Sequence, residues 1–189
     1  MKIDIVVFDG MDELDAVGPL SVLRRAGFDV QLVGTSTQVT CAYGLTMQAD
    51  GKPRDDADVV VFPGGGWVSK APKGARAEVE ADRWRGLIEA TSQRGAILTS
   101  VCTGAMILAS AGVLKGRRAT THHNAWPDLE AAGAILVKQR VVDDGELISA
   151  GGVTSGIDLA LHLVERFKGA EAANAIADNL EYRAATSAC

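Results

Sequence analysis

The chain has 189 residues, 47% of them apolar and 23% charged, and a formal net charge of −5, a balance that suits one globular domain with a sizeable core. Its basic residues are scattered, so no electrostatic footprint for nucleic acid or an anionic membrane surface is expected. No apolar run approaches a membrane span, and Asp4 and Asp9 interrupt the N-terminal stretch too early for a secretory leader; a cytoplasmic protein with reduced thiols is expected.

Ile3–Phe8 is dense in β-branched residues and predicts a buried strand. From Leu14 to about Arg25 the apolar spacing becomes helical, with Pro19 expected in a tolerant first turn and Gly27 as the stop. Phe28–Val33 predicts a second strand, and Val39–Met47, around Tyr43-Gly44, a small hairpin or irregular excursion. Asp58–Phe62 predicts a strand that runs into Pro63-Gly64-Gly65-Gly66. Residues from about Ala77 to Arg94 read as one helix closed by Gly95, and Ala96–Ser100 as the next strand, with Thr103–Ala111 helical directly after it. Arg118–Thr121, Ile135–Val137, Arg140–Val142 and Leu147–Ser149 predict short strands, and Ser155–Phe167 and Ala170–Leu180 two late helices. One domain is expected over residues 1–182, followed by a loosely held tail at 183–189. Strands alternating with helices at this spacing predict an α/β fold, a mostly parallel sheet covered on both faces, with ligand sites at the carboxyl ends of its strands.

Three segments fall just past predicted strand ends: Asp9–Asp15, Gly64–Gly66 and Cys102-Thr103-Gly104. Cys102 is the central residue. Ser100 and Gly104 give it the spacing of a nucleophile elbow, a sharp turn that lifts a side chain out of the sheet. At a helix N-terminus the unpaired backbone N–H groups favour a thiolate, so a lowered thiol pKa is expected. A lone cysteine is more often a small buried hydrophobe, but strand, turn, glycine and helix in register favour a reactive one. Asp15 reads either as a helix cap or, beside a thiolate, as a carboxyl pushed toward its protonated form and able to donate a proton. The glycines at 64–66 lack the Lys-Ser/Thr of a phosphate loop and would instead point backbone N–H groups at a developing charge.

His122 and His123 follow a predicted strand, and either would serve as base to Cys102 in a Cys-His hydrolase. Adjacent residues on an extended segment point opposite ways, so at most one of them is expected to face the site. No third ligand stands near them, so no metal site is expected. Asp158 is read as the opening of a helix, and Cys41 and Cys189 as packing and tail residues. Three cysteines without a C-x-x-C pair argue against a disulfide framework or thiolate zinc.

With these residues in place, the sequence resembles the ThiJ/PfpI superfamily, a flavodoxin-like branch of the class I glutamine amidotransferase fold. The resemblance runs from Ile3 to about Tyr182 and rests on Asp12–Pro19, Phe62–Gly66, Ser100–Gly104, Ala119–His122 and Gly151–Asp158. In detail it is most similar to the isocyanide hydratases, whose L-D-x-x-G-P and S-V-C-T-G match Leu14–Pro19 and Ser100–Gly104. Gly152–Asp158 and Leu180-Glu181-Tyr182 look like theirs as well. It departs from them at His123, where a Trp usually stands, and at Gly66-Trp67, where smaller residues do; both positions are expected to shape the pocket.

The resemblance implies hydration of an isocyanide to the N-substituted formamide, without metal or organic cofactor, by a homodimer acting on a small molecule. Cys102 would be the nucleophile, Asp15 the proton donor, and the backbone N–H groups of Gly65 and Thr103 the charge-stabilising donors. The Thr103 hydroxyl would hold water or Asp15. The alternatives are glyoxalase-like or amidase chemistry on a small carbonyl compound, through Cys102 with His122, and a non-catalytic redox or ligand sensor centred on Cys102.

Overall fold

The computed structural model describes residues 1–182, and the expected tail at 183–189, with Cys189, lies outside the described residues. In chain order the first elements are β1 (Lys2–Val6), α1 (Glu13–Arg25), β2 (Asp29–Val33), β3 (Gln38–Thr40), β4 (Thr46–Gln48) and β5 (Val59–Phe62). Next come α2 (Ala75–Glu80), α3 (Arg85–Gln93), β6 (Ile97–Ser100), α4 (Gly104–Ser110), β7 (Arg118–Ala119), α5 (Trp126–Ala131) and β8 (Ile135–Leu136). The last are β9 (Val141–Asp143), β10 (Leu147–Ala150), α6 (Ser155–Lys168) and α7 (Ala170–Asn179).

Six strands form the central sheet in the order β2-β1-β5-β6-β10-β9. All neighbours run parallel except β9, which lies antiparallel on β10 at one edge. Strands β5 and β6 are buried at every position, so β5 reads as an unbroken apolar run and β6 carries its polar Thr99 and Ser100 into the interior. With the β3–β4 hairpin left aside, the parallel strands follow the doubly wound order of a flavodoxin-like sheet, so the direction in which strands are added reverses between β1 and β5. The loops after β1, β5 and β6 converge at that switch point. The expected α/β architecture is present, and so is the hairpin.

At the opposite end of the sheet, Asp4 is fully buried, although it interrupts an apolar run. Its two oxygens accept from Arg54 Nε at 2.6 Å and Arg54 N at 2.7 Å, so its burial is compensated by hydrogen bonds. Among the described residues, no helix is long and apolar enough to cross a membrane.

Three expectations are corrected. The helix foreseen over Ala77–Arg94 is two helices, broken where Asp82 takes φ +48°. The break turns Trp84 inward, its indole N–H on Glu78 at 2.7 Å and its ring edge-on to Phe62. Pro19 lies in the middle of α1 rather than in its first turn, because the helix already begins at Glu13. Without an N–H it leaves the Asp15 carbonyl lacking its usual helical donor. Arg118–Thr121 is strand only over β7, which pairs with β8 in a separate two-stranded ribbon. Thr120 and Thr121 leave the ribbon toward Ser149 and Cys102. The helix expected over Thr103–Ala111 is present as α4, Gly104–Ser110, with Thr103 and Ala111 as its caps.

The β5 and β6 loops touch so closely that only glycine fits. A Cβ on Gly104 would lie 1.9 Å from the Phe62 carbonyl oxygen, and one on Gly64 would lie 2.4 Å from Thr103 N. Gly104→Ala is therefore expected to lower unfolding free energy by about 3 kcal/mol or more, at the top of the range for overpacking, as read by chemical denaturation.

Candidate active site

Cys102 sits where β6 gives way to α4, with φ +55°, a left-handed conformation that a non-glycine residue adopts only when its surroundings impose it. Two bonds do so. Its N–H donates to the Gly151 carbonyl at 2.7 Å, and its carbonyl accepts the Thr121 hydroxyl at 2.8 Å. The turn is the elbow that the sequence spacing predicts. The residue is 5% exposed, and it forms part of the lining of a cavity of about 610 Å³.

Asp15 lies behind the sulfur, wholly buried on the first turn of α1. It is not the helix cap: Asp12 is, accepting from Leu14 N at 3.1 Å. Asp15 Oδ2 accepts the Gly64 N–H at 2.8 Å, while Oδ1 has no partner of good hydrogen-bond geometry. Burial holds this carboxyl well above the usual carboxylate range, against the opposing Gly64 hydrogen bond; the Asp12 charge adds to the rise, and the facing Cys102 thiol subtracts slightly.

The lowered thiol pKa expected from the helix N-terminus is not what the geometry gives. Burial first, and the Asp15 charge second, push the Cys102 thiol up to about 12. The backbone N–H groups of Val153 and Thr103 face the sulfur and work in the other direction, but do not prevail. Burial of the sulfur outweighs what these N–H groups contribute. Both groups therefore resist ionisation, and each resists more when the other is charged. They titrate as one pair.

The remaining expected residues are placed as follows. Gly65 N–H donates to Thr103 Oγ1 at 2.9 Å, so it is not free to meet a reacting charge, and the Thr103 oxygen is not directed at Asp15. Gly66 and Trp67 line the cavity. Trp67 is 8% exposed and held rigidly, with its indole N–H on Asp128 at 2.6 Å and the Arg76 guanidinium 4.3 Å above its ring. His122 lines the cavity and His123 does not, but their rings stack at 4.4 Å instead of pointing apart, because the chain turns there into a 3₁₀ segment over His123–Ala125. His122 Nδ1 accepts the Asn124 N–H at 3.2 Å, which places its proton on Nε2. Burial lowers the His122 pKa and so favours the neutral ring, which presents its Nε2–H while Nδ1 is taken by Asn124. Cys41, expected only to pack, is buried and lines the same cavity.

Residues 1–166 match the DJ-1/PfpI family. The chain belongs to that family. It is 36% identical over 186 residues to an isonitrile hydratase from Pseudomonas putida, covering 96% of this chain and 78% of that protein. It is 31% identical over 155 residues to a deglycase from Thermococcus kodakarensis, covering 79% of this chain and 89% of the relative. The crystal structure of Drosophila melanogaster DJ-1beta superposes with a TM-score of 0.85 at 26% identity, covering 97% and 98% of the two chains. This DJ-1/PfpI protein thus keeps its family's flavodoxin-like sheet.

Asp15→Asn preserves an acceptor for Gly64 and removes the charge that Cys102 feels. The thiol titration, followed by ultraviolet thiolate absorbance, is expected to move down from about 12. The same variant reports on stability. The unfolded chain releases the Asp15 proton near pH ~3.9, whereas the folded protein holds it to higher pH. Stability due to Asp15 is therefore complete below that pH and is lost as pH rises toward the folded value. The denaturation midpoint of Asp15→Asn should gain on wild type as pH rises above about 4.

Proposed function

We propose that this DJ-1/PfpI protein is a cysteine-dependent hydratase that converts an isocyanide, R–N≡C, to the N-substituted formamide, R–NH–CHO. The observation that carries the reading is the buried pair itself: a sulfur on a strained elbow facing a dry carboxyl that favours keeping its proton. The terminal carbon of an isocyanide must receive a nucleophile and a proton at the same atom, and such a pair offers both from one direction. Identity of 36% with an isonitrile hydratase supports the same chemistry.

With Asp15 protonated, the second-largest cause of the raised thiol pKa disappears, and Val153 and Thr103 N–H groups face a sulfur able to carry charge. In the singly protonated pair, with the proton on Asp15 and Cys102 as the thiolate, the sulfur forms a bond to the terminal carbon and the Asp15 proton passes to that carbon, giving the thioimidate R–N=CH–S–Cys102. Asp15 is left as a carboxylate. Water then adds to the thioimidate carbon, and one of its protons passes through Asp15 to nitrogen. The C–S bond breaks, the hydroxyl proton returns to Asp15, and the formamide leaves. The sum is one water added, with the enzyme restored. Thr103 contributes through its backbone N–H at the sulfur and its hydroxyl, which holds the Gly65 strand-end in place. His122 offers a neutral Nε2–H to the cavity, and Gly66 and Trp67 form part of its wall. On this reading the protein works as a cytoplasmic homodimer without metal or organic cofactor.

The tautomer of His122 speaks against a Cys-His amidase, and the deglycase relative keeps carbonyl chemistry as the comparison to run. Formamide is followed by its formyl proton signal with a simple alkyl or aryl isocyanide. Wild type should turn over, Cys102→Ala should fall to background, and Asp15→Asn should lose at least about 10²-fold in kcat, the usual contribution of a positioned acid. Equal formamide from wild type and Cys102→Ala removes the hydratase reading; release of amine from a carbonyl adduct with no formamide from isocyanide puts the deglycase in its place.

A further inference from the structure

The backbone that surrounds Cys102 is held from outside the cavity by a residue that touches neither the sulfur nor the cavity. Cys102 N–H donates to the Gly151 carbonyl, and Val153 N–H faces the sulfur two residues further on. Both groups belong to the loop between β10 and α6. Arg140 grips that loop at each end. Its carbonyl accepts the Gly151 N–H at 2.9 Å, extending the β9–β10 ladder by one residue. Its guanidinium Nη2 donates to Thr154 Oγ1 at 3.2 Å, and its Nε to Asp158 Oδ2 at 2.9 Å. Nη2 also contacts the same Asp158 oxygen. Tyr182 closes the arrangement, its hydroxyl donating to Asp158 Oδ2 at 2.9 Å. Asp158, on the first turn of α6, is thus outside the reaction and inside this clamp.

We propose that Arg140 is a positioning residue for Cys102, fixing the Gly151–Thr154 loop so that its backbone groups hold the elbow and face the sulfur. Loss of the guanidinium frees the Thr154 end of the loop while the Gly151 end stays in the ladder. Val153 lies on the freed side, so its N–H is the donor that drifts. A sulfur that loses one of its two facing donors holds charge less well. The Arg140 side of the ion pair is half open to solvent, which limits what the pair adds to stability, so the effect is on geometry more than on folding. Lysine is not an equivalent here, because an ammonium lacks the planar fork that reaches Thr154 and Asp158 together.

The inference rests on Cys102 as the nucleophile but not on which electrophile it meets, and its test is chosen accordingly. Alkylation of Cys102 by iodoacetamide is measured against pH, with mass spectrometry to separate it from Cys41, in wild type, Arg140→Ala, Arg140→Lys and Thr154→Val. Arg140→Ala should raise the apparent thiol pKa and slow alkylation near pH 8 by about tenfold, the equivalent of one pKa unit. Thr154→Val should move in the same direction, and Arg140→Lys should fail to restore the wild-type profile. With an isocyanide, kcat should fall while KM holds. Profiles of Arg140→Ala and Thr154→Val that superimpose on wild type overturn the proposal, as does full rescue by lysine. If Arg140→Ala does not fold, Thr154→Val decides alone, since it changes one exposed hydroxyl for a methyl. A wild type with no isocyanide turnover refutes the hydratase and leaves the alkylation profiles to decide the clamp.

Discussion

The left-handed turn at Cys102 is the constraint around which the rest of the site is arranged. Such a conformation costs of the order of 1–3 kcal/mol for a side-chain-bearing residue, and here it is held by neighbours from three directions. The Gly151 carbonyl takes the amide proton, the Thr121 hydroxyl takes up the carbonyl, and the β5 loop presses against the following residues at distances only glycine tolerates. The strain points the sulfur out of the sheet toward a cavity, where an ordinary strand residue would pack into the core. Close packing of β5 against β6 is thus what turns toward the cavity a residue that would otherwise be one more buried thiol.

Dryness is the second theme. Asp15 and Cys102 face each other with almost no water, and burial is the largest influence on both. A solvated site would let each ionise independently. Here the pair prefers to retain protons, and the protein opposes this with only a few backbone donors: Gly64 toward the carboxyl, Val153 and Thr103 toward the sulfur. The balance between burial and these donors sets how readily the sulfur becomes anionic. A loop displacement too small to alter the fold is therefore enough to alter reactivity.

Much of this was legible in the sequence. The strand runs, the glycine at 104 and the residues after each strand located the elbow, and topology alone brought Asp15, Gly64 and Cys102 to one edge. What failed shares a cause. The break at Asp82 comes from Trp84 seeking a buried partner in Glu78, a tertiary demand that outweighs local helical pattern. The thiol pKa was misjudged because a helix N-terminus is visible in sequence and desolvation is not. Gly65 N–H looked free until Thr103 Oγ1 was found to occupy it. Thr121, Gly151 and Val153 act through backbone or through contacts across the fold, and residue type carries little sign of that; only the motifs that contain them, Ala119–His122 and Gly151–Asp158, hinted at it.

The cavity wall and the buried sulfur–carboxyl pair are built from different parts of the chain. The sulfur is anchored at the end of β6 and the Asp15 carboxyl on the first turn of α1, whereas Tyr43, Trp67 and Val68 stand on the hairpin turn and on the segment between β5 and α2. Tyr43 and Val68 are exposed enough to change without touching the core. Selectivity and reactivity are thereby separable traits. A lineage of such proteins could exchange its walls for new substrates while the elbow stayed as it is, which makes this sheet edge a conserved reagent behind a replaceable door.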